Sequence, residues 1–400
     1  MVRAFKALSL LFIPLLLAAA PAAAHERCAE ARRLAASKDQ YSRDELLDSI
    51  ADASDPARSC AIRAAGEAKV LDAVPPLLSA VEGYLSSGKH AYDRELKARL
   101  QAIDAIWALG EIGSPEVMAS LQDFYLRSDD TLKINLVVSV SKLAAGGKAA
   151  DWLRGVAADK NADGVVRAAA YETLADLGES APPAEKPERD GIEPGDIIYT
   201  GGIVGTIAGW FSDDLPIGHA AIFAGLEVKD GALQVLVAEC VPNYDVPGGI
   251  RNVYTWSKFT THYKFPFYGN RTTRVPPTKE QRAKIVETAL RMGTLGLSYS
   301  DSHRHQKGPD LFDCVGYAEY LYELAGLNPT PDKYEHGLGW PLTPYEQFAA
   351  TVTPVFGPYS PAPAAPAYAA GPAKELLEGG LFGLRGGSAA VAPPSAPGPL

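Results

Sequence analysis

The sequence has no dense lysine or arginine run and no basic stripe interleaved with aromatics, and its 38 basic side chains are outnumbered by 48 acidic ones. Binding to nucleic acid needs clustered positive charge, so nucleic acid is not an expected partner. The chain also lacks a phosphate-cradling glycine loop and a serine nucleophile elbow, which removes two large groups of enzymes from consideration. Beyond its first residues it has no apolar stretch long enough to cross a bilayer, so no transmembrane segment is expected in the remainder. Cysteine is scarce, with four in 400 residues. What remains is 47% hydrophobic and 22% charged, the balance of a globular protein long enough for two or more domains.

The first residues read as an export signal. Arg3 and Lys6 precede an apolar run over 7–20, and Ala22, Ala23 and Ala24 supply small residues for cleavage. The run is shorter than the ~20 residues of a membrane span, so residues 1–24 are predicted to be a signal peptide and the product periplasmic or secreted. Glu26 and Arg27 stand where a lipoprotein signal places small residues before its cysteine, here Cys28. Export permits disulfides. Cys28 and Cys60 both fall in a helical region and can pair. Cys240 and Cys314 lie in a different region, and a catalytic Cys314 has to remain a free thiol, leaving Cys240 as a small buried residue.

Residues 25–180 read as helix after helix. Blocks such as Ala64-Ala-Gly-Glu-Ala-Lys69, Ala108-Leu-Gly-Glu-Ile-Gly113, Lys142-Leu-Ala-Ala-Gly-Gly147 and Thr173-Leu-Ala-Asp-Leu-Gly178 recur, each expected to end a helix at a small residue or glycine. Leu100, Ile103, Ile106, Trp107 and Ile112 fall largely on one helical face. Paired helices at such spacing predict an α-solenoid, and the string from Ala108 to Glu116 resembles HEAT-type repeats, which implies a scaffold able to bind a protein partner. A Pro-rich, charged stretch at 181–190 reads as a linker. From Gly191 short β-branched runs appear at Asp196–Tyr199, His219–Phe223 and Leu233–Glu239, with Asp230-Gly231 as a hairpin turn. Later helices start at an N-cap at Thr278 and at Asp313, so an α+β domain is expected over 191–356. Residues 357–400, rich in Pro, Ala and Gly, predict a disordered tail.

A cysteine amidase needs an activated thiol, a base and a group that orients the base. Cys314 falls in the first turn of a predicted helix capped by Asp313, where the helix dipole favours a thiolate and first-turn N–H groups face outward. A cysteine there is also a common packed residue. His219 begins a strand, a rigid place for a base; alternatively it is a partly exposed strand-end histidine. Glu239 ends the next strand after an apolar run, and burial of its carboxylate demands a partner. Orienting His219 would supply one, and a solvent-facing strand end is the alternative.

The segments Gly296-Leu-Ser-Tyr299 and Phe312-Asp-Cys-Val-Gly-Tyr317 resemble the nucleophile region of NlpC/p60-type papain-like amidases. Pro194-Gly-Asp-Ile-Ile-Tyr199 and Gly218-His-Ala-Ala-Ile-Phe-Ala-Gly225 resemble that family's Pro-Gly-Asp and histidine strands. The cysteine follows the histidine here, so the order resembles the circularly permuted, YiiX-like branch. The resemblance covers about 165 residues and implies a multidomain protein, an all-α HEAT-like solenoid followed by a papain-like α+β domain. It implies Cys314 as nucleophile, His219 as base and Glu239 as the third polar residue. It also implies Tyr299 and Asp313 on the substrate side, and the Gly-rich segment before His219 places Trp210 as an apolar lip.

The expected activity is therefore an exported thiol hydrolase acting on amide bonds of a peptide, cell-wall peptide first, without cofactor or metal. The same dyad would also serve lipid amide or ester hydrolysis or acyl transfer. Val315 stands where the family has serine, a departure that weakens cell-wall specificity and slightly favours a lipid substrate. A non-catalytic adaptor, with the helical part binding a partner, is the alternative of another class. His303 and His305 lack a companion ligand at metal spacing, His262 and His336 are expected in loops, and Asn270-Arg-Thr matches a glycosylation sequon.

Overall fold

The computed structural model describes residues 26–87, 96–143, 146–202, 217–242, 248–261, 264–300, 307–330 and 342–353. The expected signal segment, the tail, Trp210, His262, His303, His305 and His336 lie outside the described residues. The N-terminal part is helical: α1 (26–36), α2 (Gln40–Ala51), α3 (Arg58–Glu67), α4 (Val74–Ser86), α5 (Leu96–Ile112), α6 (Met118–Arg127), α7 (Asp130–Lys142), α8 (Gly147–Ala158) and α9 (Gly164–Asp176). The helices lie in two rows. In one, α3, α5, α7 and α9 pack each on the next; in the other, α4, α6 and α8 lie against α5, α7 and α9 in turn.

Side-chain distribution explains the rows. α8 has a single apolar stripe, Ala149, Ala150, Leu153, Val156 and Ala157, and so has one buried face. α5, α7 and α9 are buried nearly all round, as inner helices must be. Gly66 and Gly110 mark close crossings within the inner row. A Cβ on Gly66 would come within 2.8 Å of Ala108 Cα, and one on Gly110 within 2.8 Å of Ser139 Cα. The glycine of the first repeated block is thus a crossing point, and the helix ends at the small residue Ala68 two positions on. The left-handed residues follow the helices at Lys69, Gly113 and Gly178, with φ of 53°, 73° and 71°. A disulfide between Cys28 and Cys60 ties α1 to α3.

The second part contains β1 (Ile197–Thr200), β2 (His219–Lys229), β3 (Ala232–Val241), β4 (Gly249–Val253), α10 (Trp256–Phe259), β5 (Phe267–Arg271) and α11 (Lys279–Met292). It continues with β6 (Ser298–Tyr299), β7 (Leu311–Phe312), α12 (Cys314–Leu324) and α13 (Pro344–Ala350). The main sheet runs β4-β3-β2-β1-β5, antiparallel throughout. β2 and β3 form the expected hairpin, with φ of 52° at Asp230 and 77° at Gly231, the positive pair that a type I′ turn requires. β2 runs past the expected His219–Phe223 run, and a bulge between Phe223 and Gly225 lies where it continues on to Lys229. The Thr278 cap closes a full capping box with Gln281. The architecture is mixed α+β with a helical N-terminal part.

The two parts share one continuous hydrophobic core that runs from Cys28 to Phe348. Helices α7 and α5 pack against β5 and α9 against β3, while α11 and α12 pack against β2. β1 and β5 are consequently buried at every residue, like strands covered on both faces. Polar groups are matched across the junction. Asn135 of α7 donates to Phe267 O at 2.7 Å and accepts from Phe267 N at 3.0 Å, which satisfies backbone at the edge strand β5. Glu172 of α9 accepts from the Trp256 and Ser257 N–H groups, both at 2.7 Å. Residues 181–190, linker-like in composition, are pinned as well: Gly164 N donates to Arg189 O and Ala184 N to Gly231 O. Asp196 of the Pro-Gly-Asp motif is fully buried and bonded to Arg282 and Asn270, both at 2.6 Å. The Asn270 amide is thereby committed inside the folded protein.

Candidate active site

The site is assembled on neighbouring strands. Thr200 of β1 pairs with His219, the first residue of β2. Ahead of it, Gly218 and Gly202 touch through their backbones, and a Cβ on Gly218 would meet Gly202 N at 2.7 Å. Only glycine permits that approach, which sets where β2 begins. One strand over, Glu239 pairs with Ala221. His219 and Ala221 share a face by the two-residue period, so Glu239 lies diagonally beside His219 on that face. The His219 Nε2 and Glu239 Oε2 atoms are 2.9 Å apart. On the next strand Arg251 pairs with Glu239, and its Nε and Nη2 reach Glu239 Oε1 at 2.9 and 2.8 Å.

The thiol arrives from the other side of the chain. β7 pairs with β6 in parallel, Phe312 with Tyr299, and Ser300 N donates to Phe312 O at 2.8 Å. This pins the peptide that leads into α12. Asp313 caps the helix by accepting from Gly316 N at 2.7 Å, which makes Cys314 the first helical residue. Cys314 is 7% exposed, the His219 side chain 12% and Glu239 1%. The thiol acts directly on the imidazole. Burial works to lower the His219 pKa, but hydrogen bonds and charge from Cys314 and Glu239 outweigh it and raise the pKa to about 9. Because Glu239 occupies Nε2, the ring nitrogen left for the thiol is Nδ1. The Phe259 ring lies 5.6 Å from the imidazole, and its neighbour Trp256 is held by α9 through Glu172 and through Nε1 to Val165 O at 3.2 Å.

Cys314, His219 and Glu239 are therefore brought together. Tyr299 sits half-buried beside the nucleophile peptide, and Asp313, 2% exposed, faces its own helix as a cap and not open solvent. Cys240 is buried and donates to Phe312 O at 3.3 Å; burial is the largest cause holding its thiol protonated. Val315 is 1% exposed and packs in a small cluster with Cys314 and Leu342. Its apolar character is accounted for by that packing, so it carries no weight for a lipid substrate. Arg251 was not foreseen. The only signal was the buried carboxylate of Glu239, which needs partners for two oxygens, and the β3–β4 register that supplies the second is not readable from the sequence. Among the described residues no group of His, Cys, Asp and Glu side chains is placed to hold a metal ion. No protein-family model, curated protein or solved structure matches the chain.

Chemically, the arrangement places a thiol at a helix N-terminus against an imidazole whose far nitrogen is held by a buried carboxylate. These are the parts needed to generate and use a thiolate nucleophile.

Proposed function

We propose that the chain is an exported thiol hydrolase that cleaves amide bonds, with cell-wall peptide as the first substrate class. It is read as a circularly permuted NlpC/p60, YiiX-like papain-type domain joined to HEAT-like repeats. The observation that carries this reading is the buried convergence of Cys314, His219 and Glu239 from three separate elements, with Glu239 hydrogen-bonded to the imidazole and Cys314 acting electrostatically on it. The two-row helix stacking supports the repeat assignment, and the motif order supports the permuted one.

The chemistry follows from the geometry. With the thiol proton on His219, the Cys314 sulfur attacks the carbonyl carbon and the C–O π pair moves onto oxygen. The Cys314 N–H, in the first helical turn where no intrahelical acceptor exists, faces the developing charge. His219 then protonates the leaving nitrogen as the C–N bond breaks, giving a thioester. Water, deprotonated by His219, attacks that thioester and returns the thiolate. Glu239 keeps the imidazole in one tautomer and stabilises its charged form.

The test is alkylation of Cys314 by iodoacetamide, followed by mass spectrometry across pH 5–10. Wild type is expected to react readily at pH 7. In His219→Ala the half-maximal pH should move up toward the ordinary thiol value of about 8.5, which lowers the rate at pH 7 by roughly tenfold or more. Equal labelling with and without His219, or a Cys240–Cys314 disulfide in the native protein, favours the non-catalytic adaptor. Peptidoglycan fragments assayed beside N-acyl and ester lipids then decide the substrate class.

A further inference from the structure

Glu239 is 1% exposed at the end of an apolar strand run, and a buried carboxylate needs partners for both oxygens. One oxygen serves His219. The other, Oε1, receives two charge-assisted donors from Arg251, Nε at 2.9 Å and Nη2 at 2.8 Å, so the two oxygens of the carboxylate are held by different partners on different strands. The register explains the alignment: Ala221, Glu239 and Arg251 are paired in sequence across β2, β3 and β4. Arg251 is 34% exposed, so the chain Arg251–Glu239–His219–Cys314 begins at the surface and ends at the buried thiol. A single hydrogen bond to an imidazole would leave the carboxylate free to turn about its side-chain bonds. Holding the second oxygen from Arg251 removes that freedom.

We propose that Arg251 is a positioning residue for the Cys314–His219 pair, acting through Glu239. This rests on Cys314 and His219 being nucleophile and base. Around these groups, β3 contributes Glu239 and the protonated Cys240, α12 contributes Cys314 and Tyr317, and β4 contributes Arg251. Arg251 is the cation among them that meets Glu239 alongside His219.

The experiment uses the full chain and the pH profile of Cys314 alkylation by iodoacetamide. If Arg251→Met lets Glu239 drift from His219, the imidazolium loses its support and the half-maximal pH rises, with a rate at pH 7 lower by roughly tenfold. Arg251→Lys, a point charge without the two guanidinium donors, should shift it less. In a Glu239→Gln background Arg251→Met should add no further shift, because the residue it acts through has gone. A purely structural role would lower the melting temperature and leave the pH profile in place. An unmoved or lowered half-maximal pH in Arg251→Met overturns the proposal, as does a full additional shift in the double variant. Should Arg251→Met not fold, Arg251→Lys decides on the same criterion. If His219→Ala shifts the profile and Arg251→Met does not, only the role of Arg251 fails. If His219→Ala leaves the profile unmoved, the nucleophile–base pair fails and Arg251 with it.

Discussion

Stability should depend on pH through His219, with a sign that the geometry dictates. The folded pKa of about 9 lies above the ordinary value of about 6.5, so the charged imidazole is favoured in the folded state. That contribution is fully present below about pH 6.5 and is lost as pH rises through about 9. A difference of about 2.5 pKa units corresponds to about 3 kcal/mol, falling to about 2 kcal/mol at pH 7.5 and under about 0.5 kcal/mol at pH 9. The His219 side chain is only 12% exposed, so solvent screening trims this modestly. The perturbation is His219→Ala, and the assay is thermal or urea unfolding of both proteins at pH 5.5, 7.5 and 9. Taking the difference between the two proteins cancels the titrating groups that do not act on His219. The stability gap between wild type and variant should shrink by about 3 kcal/mol across that range. A gap that stays constant, or widens with pH, would refute the claim that Cys314 and Glu239 hold the proton on His219.

Three further outcomes are expected. Gly218→Ala places a Cβ at 2.7 Å from Gly202 N and 2.8 Å from Gly202 O; backbone must move, which costs about 1–3 kcal/mol, and Cys314 alkylation at pH 7 should fall with the melting temperature because β2 starts at the base. Reducing the Cys28–Cys60 disulfide, with a sequence separation of 32, should cost about 3–4 kcal/mol by releasing the unfolded chain, seen as a melting temperature lowered by reductant in wild type and not in a Cys28→Ala/Cys60→Ala variant. Glu172→Gln weakens the two charge-assisted bonds to Trp256 and Ser257 and should lower stability by about 1–3 kcal/mol, measured by urea unfolding; an unchanged midpoint would show that α9 does not brace the wall behind His219.

Local physics made much of the chain legible. The Asp230-Gly231 turn, the Thr278 capping box and the Asp313 cap are written in adjacent residues, because turns and caps are settled by side chains reaching their own backbone within three or four positions. The burial demand on Glu239 was legible too, since an apolar run ending in a carboxylate requires a partner wherever it folds. Gly66 is a different case, because it lies inside α3, two positions before the Ala68 cap. A glycine beside the end of an apolar stretch serves equally as a cap or as a crossing point, and only the approach of Ala108 in the neighbouring helix decides which.

Composition at 181–190 suggested separation of the helical and sheet parts, yet α5, α7 and α9 are buried nearly all round and a second surface covers them. That surface is the sheet. Taken alone, the sequence determined the helical character of the N-terminal part, strands β1 to β3 with their hairpin turn, the caps at Thr278 and Asp313, and a short set of chemically capable side chains, because periodicity and capping act over a few residues. Only the tertiary structure decided that Cys314 meets His219, that Arg251 holds Glu239, and that the helices wall the base through Trp256 and Phe259. Those meetings depend on strand register and on packing between elements tens of residues apart, and no local pattern encodes them.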